Sequence, residues 1–150
     1  MNSFAFLEKS ARQSPDGLAL LQGEEAYTYL EFRDRALAVG GNLQALGCEP
    51  GDRVAFCLAN SPRIMEVIFG CFAAGLIVVP INARLHAREM AYIVENSGAK
   101  ILVHGPEFQD GIISNRDLFV GLRQRICLDT VEGATKFDEL LNSANMLSAA

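Results

Sequence analysis

Residues 52–85 read DRVAFCLANSPRIMEVIFGCFAAGLIVVPINARL, and their reading decides the fold. Val54, Phe56 and Leu58 alternate with smaller residues, as in a strand packed on both faces. Asn60 or Ser61 supplies an N-cap oxygen, and Pro62 suits the first helical position, where a missing N–H costs nothing. Ile64, Met65, Val67, Ile68, Phe69, Cys71 and Phe72 leave the helix no polar face, so burial nearly all round is expected. Gly75 is placed for a left-handed stop, and Leu76 to Val79 form a second, β-branched strand. A strand–helix–strand unit of this kind makes parallel strands, the core of an α/β sheet.

Upstream, Phe4, Leu7 and Ala11 share one face of a short helix ended by the turn Pro15-Asp16-Gly17. Leu18 to Leu21 and Ala26 to Thr28 read as a small hairpin. Thr28 and Glu31 have capping-box spacing and open a helix that runs to about Leu46, burying Phe32, Ala36, Val39, Leu43 and Leu46. Gly40-Gly41 inside it costs about 1 kcal/mol per glycine relative to alanine, and the close approach of another backbone is the expected compensation. Downstream follow a helix from about His86 to Asn96 closed by Gly98, a strand Lys100–His104, a helix within Phe108–Leu122, a strand Arg125–Asp129 and a helical turn Phe137–Leu141. The tail from Asn142 carries no signal of its own. Strand starts near residues 53, 76, 100 and 125 lie one βα unit apart, so the fold class is α/β: a partly complete parallel sheet with helices on both faces, preceded by a short N-terminal helix and hairpin.

Composition narrows the function. The chain has 150 residues, 50% of them hydrophobic, and a net charge of −5, which argues against nucleic-acid or anionic-membrane surfaces, because counterion-release binding needs clustered Lys and Arg. Arg116, Arg123 and Arg125 form the densest basic group and read as a solvated face. Cys48, Cys57, Cys71 and Cys127 show no C-x-x-C pairing and read as buried thiols of a reducing compartment. The first 17 residues lack the basic start and apolar run of a signal peptide, and Gly75 and Pro80 interrupt the uncharged run from Val67 to Ile81, so a cytoplasmic, non-spanning protein is expected.

Reaction chemistry is sparse in the residues themselves. Gly70 to Gly75 has the G-x-x-x-x-G spacing, but Leu76 and Ile77 stand where a phosphate-binding loop needs Lys and Ser or Thr, so its glycines read as packing. His86 reads as a solvent-facing helix start. His104 ends a strand, where ligands of open α/β sheets collect. No paired carboxylates or metal-ligand spacing stand out.

The segment GDRVAFCLANSPRIMEVIFGCFAAGLIVVPINARL resembles the opening of the adenylate-forming (AMP-binding) superfamily, the acyl-CoA synthetases and their relatives. TYLEF and LGCEPGDRVAF upstream and EMAYIVENSGAKILV downstream fit the same family's order, so the resemblance covers roughly residues 4–142. Asn82-Ala83-Arg84-Leu85 is closer to the acyl-CoA synthetase branch than to amino-acid-activating domains, which usually show Asp-Pro there. Ala83 stands where Pro is common, and His86-Ala87 replaces a Thr-Pro type helix start, which weakens that N-cap.

The resemblance implies an activity and its limits. Full-length members activate a carboxylic acid with ATP and Mg²⁺ to an acyl-adenylate, then pass the acyl group to coenzyme A. The Gly/Ser/Thr-rich phosphate loop, the ribose-binding Asp and the catalytic Lys come after the region matched here. Residues 1–150 are therefore expected to be an N-terminal subdomain fragment, the first quarter to third of a synthetase, with no catalytic residue, metal or cofactor held by the fragment itself and without activity alone. Arg84 is the one residue implied in cofactor binding, toward the nucleotide phosphates of coenzyme A. Expected partners are the remainder of the parent synthetase or a second copy of the chain. The rival reading is a non-catalytic scaffold or protein-interaction module that reuses the fold. Codons after residue 150 discriminate the two, since the parent encodes the phosphate loop within about 50 residues.

Overall fold

A computed structural model describes residues 2–148, and Ala149 and Ala150 of the tail lie outside the described residues. The chain divides into two compact units: one of Met1–Pro50, Asn60–Leu76 and Leu140–Ala150, the other of Gly51–Ala59 and Ile77–Glu139.

The first unit is helical. α1 (Phe4–Gln13) precedes the antiparallel hairpin of β1 (Leu18–Gln22) and β2 (Glu25–Thr28), and α2 (Tyr29–Ala45) and α3 (Pro62–Ala73) complete it. Local chemistry sets the helix ends. Glu31 N–H donates to Thr28 Oγ1 at 3.1 Å and Thr28 N–H to Glu31 Oε1 at 3.4 Å, which closes the expected capping box. Ser61 Oγ accepts from Arg63 N–H at 3.2 Å, with Pro62 in the first turn of α3. Phe4, Leu7, Phe32, Ala36 and Leu37 form the core, joined by Phe69, whose ring meets Phe32 edge-on at 5.3 Å. Leu46, expected inside, is exposed because α2 ends at Ala45 and the chain turns away through Gly47 at φ 99°. No residue of α3 is fully exposed, yet Ile64, Met65, Ile68, Phe69 and Phe72 are only half-buried.

The helix glycines have the expected explanation. A Cβ on Gly40 would stand 2.6 Å from Gly70 O, and one on Gly70 would stand 2.6 Å from Val39 Cγ1. Gly40 and Gly70 let α2 and α3 approach backbone to backbone, and Gly75, at φ 73°, turns the chain after α3, so G-x-x-x-x-G here is one packing glycine and one helix stop. Gly41 meets a different neighbour: its Cβ would lie 1.7 Å from Asn145 O. That oxygen belongs to the tail that follows Asn142. The tail, read as featureless, has a 3₁₀ turn at Ser143–Asn145 and lies along α2. Buried Asn42 holds it there, its Nδ2 donating to Leu140 O at 2.9 Å and Asn142 O at 2.8 Å while its Oδ1 accepts from Asn145 Nδ2 at 3.0 Å.

The second unit carries the sheet. β3 (Arg53–Cys57), β4 (Ile77–Pro80), β5 (Ile101–His104), β6 (Gln124–Cys127) and β7 (Thr135–Lys136) lie in the order β4-β3-β5-β6-β7, all parallel. The α/β class and parallel sheet are as expected, but β4 is an edge strand with Ile77 52% exposed, and β7 was not expected at all. α4 (Ala87–Ser97) and α5 (Gln109–Ser114) pack Met90, Ala91, Val94 and Ile112 against Ala55, Cys57 and Leu102 of the sheet. Gly98, at φ 69°, ends α4, and Arg53 Nε donates to Ser97 O at 2.8 Å, placing a cation at the negative end of that helix. The helix expected within 108–122 is broken into α5 and two 3₁₀ turns, Pro106–Phe108 and Arg116–Leu118.

Candidate functional site

In a parallel sheet the reactive crevice opens outside the carboxyl ends of strands whose connections run in opposite directions. Here β3 connects to its neighbour β4 on one side and β5 to β6 on the other, so the switch point falls between β3 and β5. Cys57 pairs with His104 at that point, and the loops after Pro80, His104 and Cys127 surround it.

The loop after β4 presents Arg84. Residues 81–86 alternate inward and outward: Ile81 is buried, and Ala83 and Leu85 pack against the core of α4 and α5, while Asn82, Arg84 and His86 are exposed. Asn82 fixes the turn, its Oδ1 accepting from Arg84 N–H at 2.9 Å and its carbonyl from Leu85 N–H at 3.1 Å. Two anchored apolar residues therefore hold an exposed guanidinium at the carboxyl edge of the sheet. Arg84 forms no ion pair among the described residues, so its fork is available to a planar or tetrahedral anion. His86 is exposed as expected and makes no side-chain cap, while Glu89 Oε2 accepts from its backbone N–H at 3.0 Å.

His104 does not face the crevice; its side chain is fully buried. Its Nδ1 lies 2.8 Å from Gly105 O and its Nε2 lies 2.9 Å from Arg125 Nη1. Arg125 can only donate, so Nε2 accepts and Nδ1–H donates to the carbonyl, which assigns a neutral tautomer. Burial, and then the Arg125 charge, push the His104 pKa below its usual value, against the pull of the Gly105 carbonyl and of Glu107. This is a structural histidine. Because its folded pKa is depressed, its contribution to stability is full above the unfolded value of about 6.5 and is lost as pH falls from there through the folded value. The urea midpoint should drop between pH 7.5 and 5, and His104→Gln, whose amide can still accept from Arg125, should flatten that slope. An unchanged slope in the variant assigns the pH dependence to other groups.

Arg125 is the partner that the sequence reading misplaced on a solvated face. It is half-buried, and Nη1 also donates to Gln109 Oε1 at 2.7 Å and Nη2 to Glu132 O at 3.1 Å. Burial also raises the Cys57 thiol to about 11, so this cysteine is protonated at neutral pH and a poor nucleophile. All four cysteines are buried, as their apolar settings imply.

A second polar cluster, in the helical unit, was missed. Glu66 on α3 is 0% exposed. Its Oε1 accepts from Arg35 Nε at 2.6 Å, its Oε2 lies 3.1 Å from Arg63 Nε, and Arg63 also bonds Glu25 and the Tyr27 hydroxyl. The Arg35 guanidinium stacks over the Tyr27 ring at 4.6 Å. Arg63-x-x-Glu66 in an otherwise apolar helix was the available signal. The cluster joins α2, α3 and β2 and is an element of structure.

The profile of the AMP-binding enzyme family matches residues 7–146. The chain belongs to that family. It is 38% identical over 104 residues to a feruloyl-CoA synthase of Amycolatopsis sp, covering 69% of this chain and 21% of the relative. It is 32% identical over 112 residues to 4-hydroxybutyrate–CoA ligase 2 of Metallosphaera sedula, covering 75% and 20%. The anthranilate CoA ligase AuaEII, solved with anthranoyl-AMP, superposes with a TM-score of 0.92 at 26% identity over 100% of this chain and 30% of that one. The chain thus spans about a fifth of the length of the curated AMP-binding relatives it matches. The family match and these relatives group it with the acyl-CoA synthetases. Among the described residues no group of three His, Cys, Asp or Glu could hold a metal ion, and no helix is long and apolar enough to cross a membrane.

Proposed function

We propose that residues 1–150 are the N-terminal subdomain of an acid–thiol ligase that activates a carboxylic acid with ATP and Mg²⁺ and transfers the acyl group to coenzyme A in the cytoplasm. The observation that carries this reading is the family match over residues 7–146 in a chain a fifth the length of its curated CoA-ligase relatives. ATP and coenzyme A supply the phosphoanhydride and thiol chemistry when bound, and this chain's share is to position its part of the sheet edge. On this reading the 150-residue polypeptide is inactive by itself. Stabilising charge on a phosphate under attack needs convergent donors and a cation, and the loop at residues 81–86 offers a single exposed guanidinium, that of Arg84. Purified residues 1–150 should show no acid-dependent pyrophosphate–ATP exchange. Exchange above a blank with a fatty or aromatic acid refutes the reading of these residues as an inactive subdomain.

Within that reading Arg84 contacts the nucleotide phosphates of coenzyme A. Its exposure, its Asn82 turn and its place at the carboxyl edge of β4 support the role. In the full-length ligase Arg84→Ala should raise KM for coenzyme A about tenfold, as expected for losing one charge-assisted pair, and leave adenylate formation nearly unchanged. Equal loss in both half-reactions makes the residue structural. The exposed edge strand β4 supports pairing with the rest of the ligase or with a second copy. A monomer by light scattering at all micromolar concentrations removes the second copy.

A further inference from the structure

Arg116, Arg123 and Arg125 line one cleft of about 200 Å³, whose apolar wall is Ile112, Phe119 and Leu122. Three cations around a hollow stand out in a chain of net charge −5, and no carboxylate is part of the lining among the described residues. The bonds of Arg125 sharpen the point. Its three acceptors, His104 Nε2, Gln109 Oε1 and Glu132 O, are all neutral. A half-buried guanidinium held only by neutral groups keeps an uncompensated charge, which costs free energy until an anion joins it. Arg116 and Arg123 are exposed and form no ion pair among the described residues. Like charges around a concave, partly apolar surface add their potentials and raise the local anion concentration.

The other lining residues fit a ligand with two ends. Ile112 and Phe119 are buried, so the wall is part of the core of this unit and fixed in shape. A Cβ on Gly133 would lie 3.0 Å from Arg125 Nη2, so the glycine leaves room beside that guanidinium. The volume is below the roughly 300–1,000 Å³ of pockets for drug-sized ligands, which limits the occupant to a single-ring molecule. Guanidinium forks match phosphate oxygens in pairs, and three of them suit a dianion better than a carboxylate. The cleft lies at the amino end of β6, whereas Arg84 follows the carboxyl end of β4, so it is separate from the edge assigned to ligation.

We infer that this cleft is a binding site for a small aryl phosphate, with the guanidiniums of Arg116, Arg123 and Arg125 on the phosphate and Ile112, Phe119 and Leu122 against the ring. The test is a titration of the ¹⁵N-labelled chain with phenyl phosphate at low salt, read by amide shifts. Shifts confined to residues 109–135, with a Kd of about 1 mM or tighter, are expected. The double variant Arg116→Ala, Arg123→Ala removes two exposed side chains, leaves Tm unchanged and should weaken binding at least about tenfold. Inorganic phosphate should bind at least about fivefold more weakly, because it leaves the apolar wall uncovered. Unchanged affinity in the double variant, or no saturation by about 10 mM phenyl phosphate, overturns the site. Equal affinity for inorganic phosphate overturns the aryl phosphate class.

Discussion

Replacing Arg35 by Met should cost this chain about 3 kcal/mol of stability at pH 7, the lower end for stripping a partner from a buried ion pair. The cause is Glu66, whose carboxyl group is 0% exposed and takes its shortest bond, 2.6 Å, from Arg35 Nε. Burial pushes the Glu66 pKa up, while Arg35 and then Arg63 pull it back. Without Arg35 the pKa rises further and the charged form is left with Arg63 alone. The sign of the pH dependence follows. A carboxyl whose folded pKa is raised gives stability that is fully present below the unfolded value of about 4.3 and is lost as pH rises through the folded value. The variant has the higher folded pKa, so its deficit should be largest at neutral pH and shrink on acidification toward pH 5. Urea unfolding at three pH values measures this. A deficit that is constant with pH makes the loss one of packing by the Arg35 stem over Tyr27. The double change Arg35→Met with Glu66→Leu should recover most of the stability, because it removes the buried charge together with its partner.

That cluster marks the boundary of what the sequence could disclose. The helix ends were legible because capping is local: Thr28 and Glu31, or Ser61 and Pro62, satisfy one another within a single turn. The sheet was legible because its strands are apolar runs of similar spacing between helices. β7 was not, since it has two polar residues and no pattern; it pairs with β6, and Gln124 Nε2 donates to Thr135 Oγ1 at 2.6 Å. Arg125 was misread for a related reason. Its place depends on His104 and Gln109, 21 and 16 residues away. At the carboxyl edge, Arg84 was singled out by family resemblance, and the alternating burial of residues 81–86 explains its exposure in physical terms.

The tail gives the second large effect. A Cβ placed on Gly41 would stand 1.7 Å from Asn145 O and 2.7 Å from its carbonyl carbon, both backbone atoms. No rotamer change relieves that overlap, so Gly41→Ala must move the 142–147 segment off α2. Moving it strains or breaks the bonds of Asn42 to Leu140 O, Asn142 O and Asn145 Nδ2, and the bond from Leu147 N–H to Leu37 O at 3.2 Å. Asn42 is buried, and an amide left without partners there costs about 1–3 kcal/mol. Against this stands helix propensity, since Ala is better than Gly inside a helix by about 1 kcal/mol. The balance should be a net loss of about 2 kcal/mol, together with faster amide exchange at 143–147. The control is Gly23→Ala in the hairpin turn, where nothing lies within 4 Å of the added Cβ and the cost comes only from φ 60°. It should leave exchange in the tail untouched. The sign at Gly41 decides the matter: a more stable Gly41→Ala protein would mean that the segment does not press on the helix, and the glycine would then need another explanation.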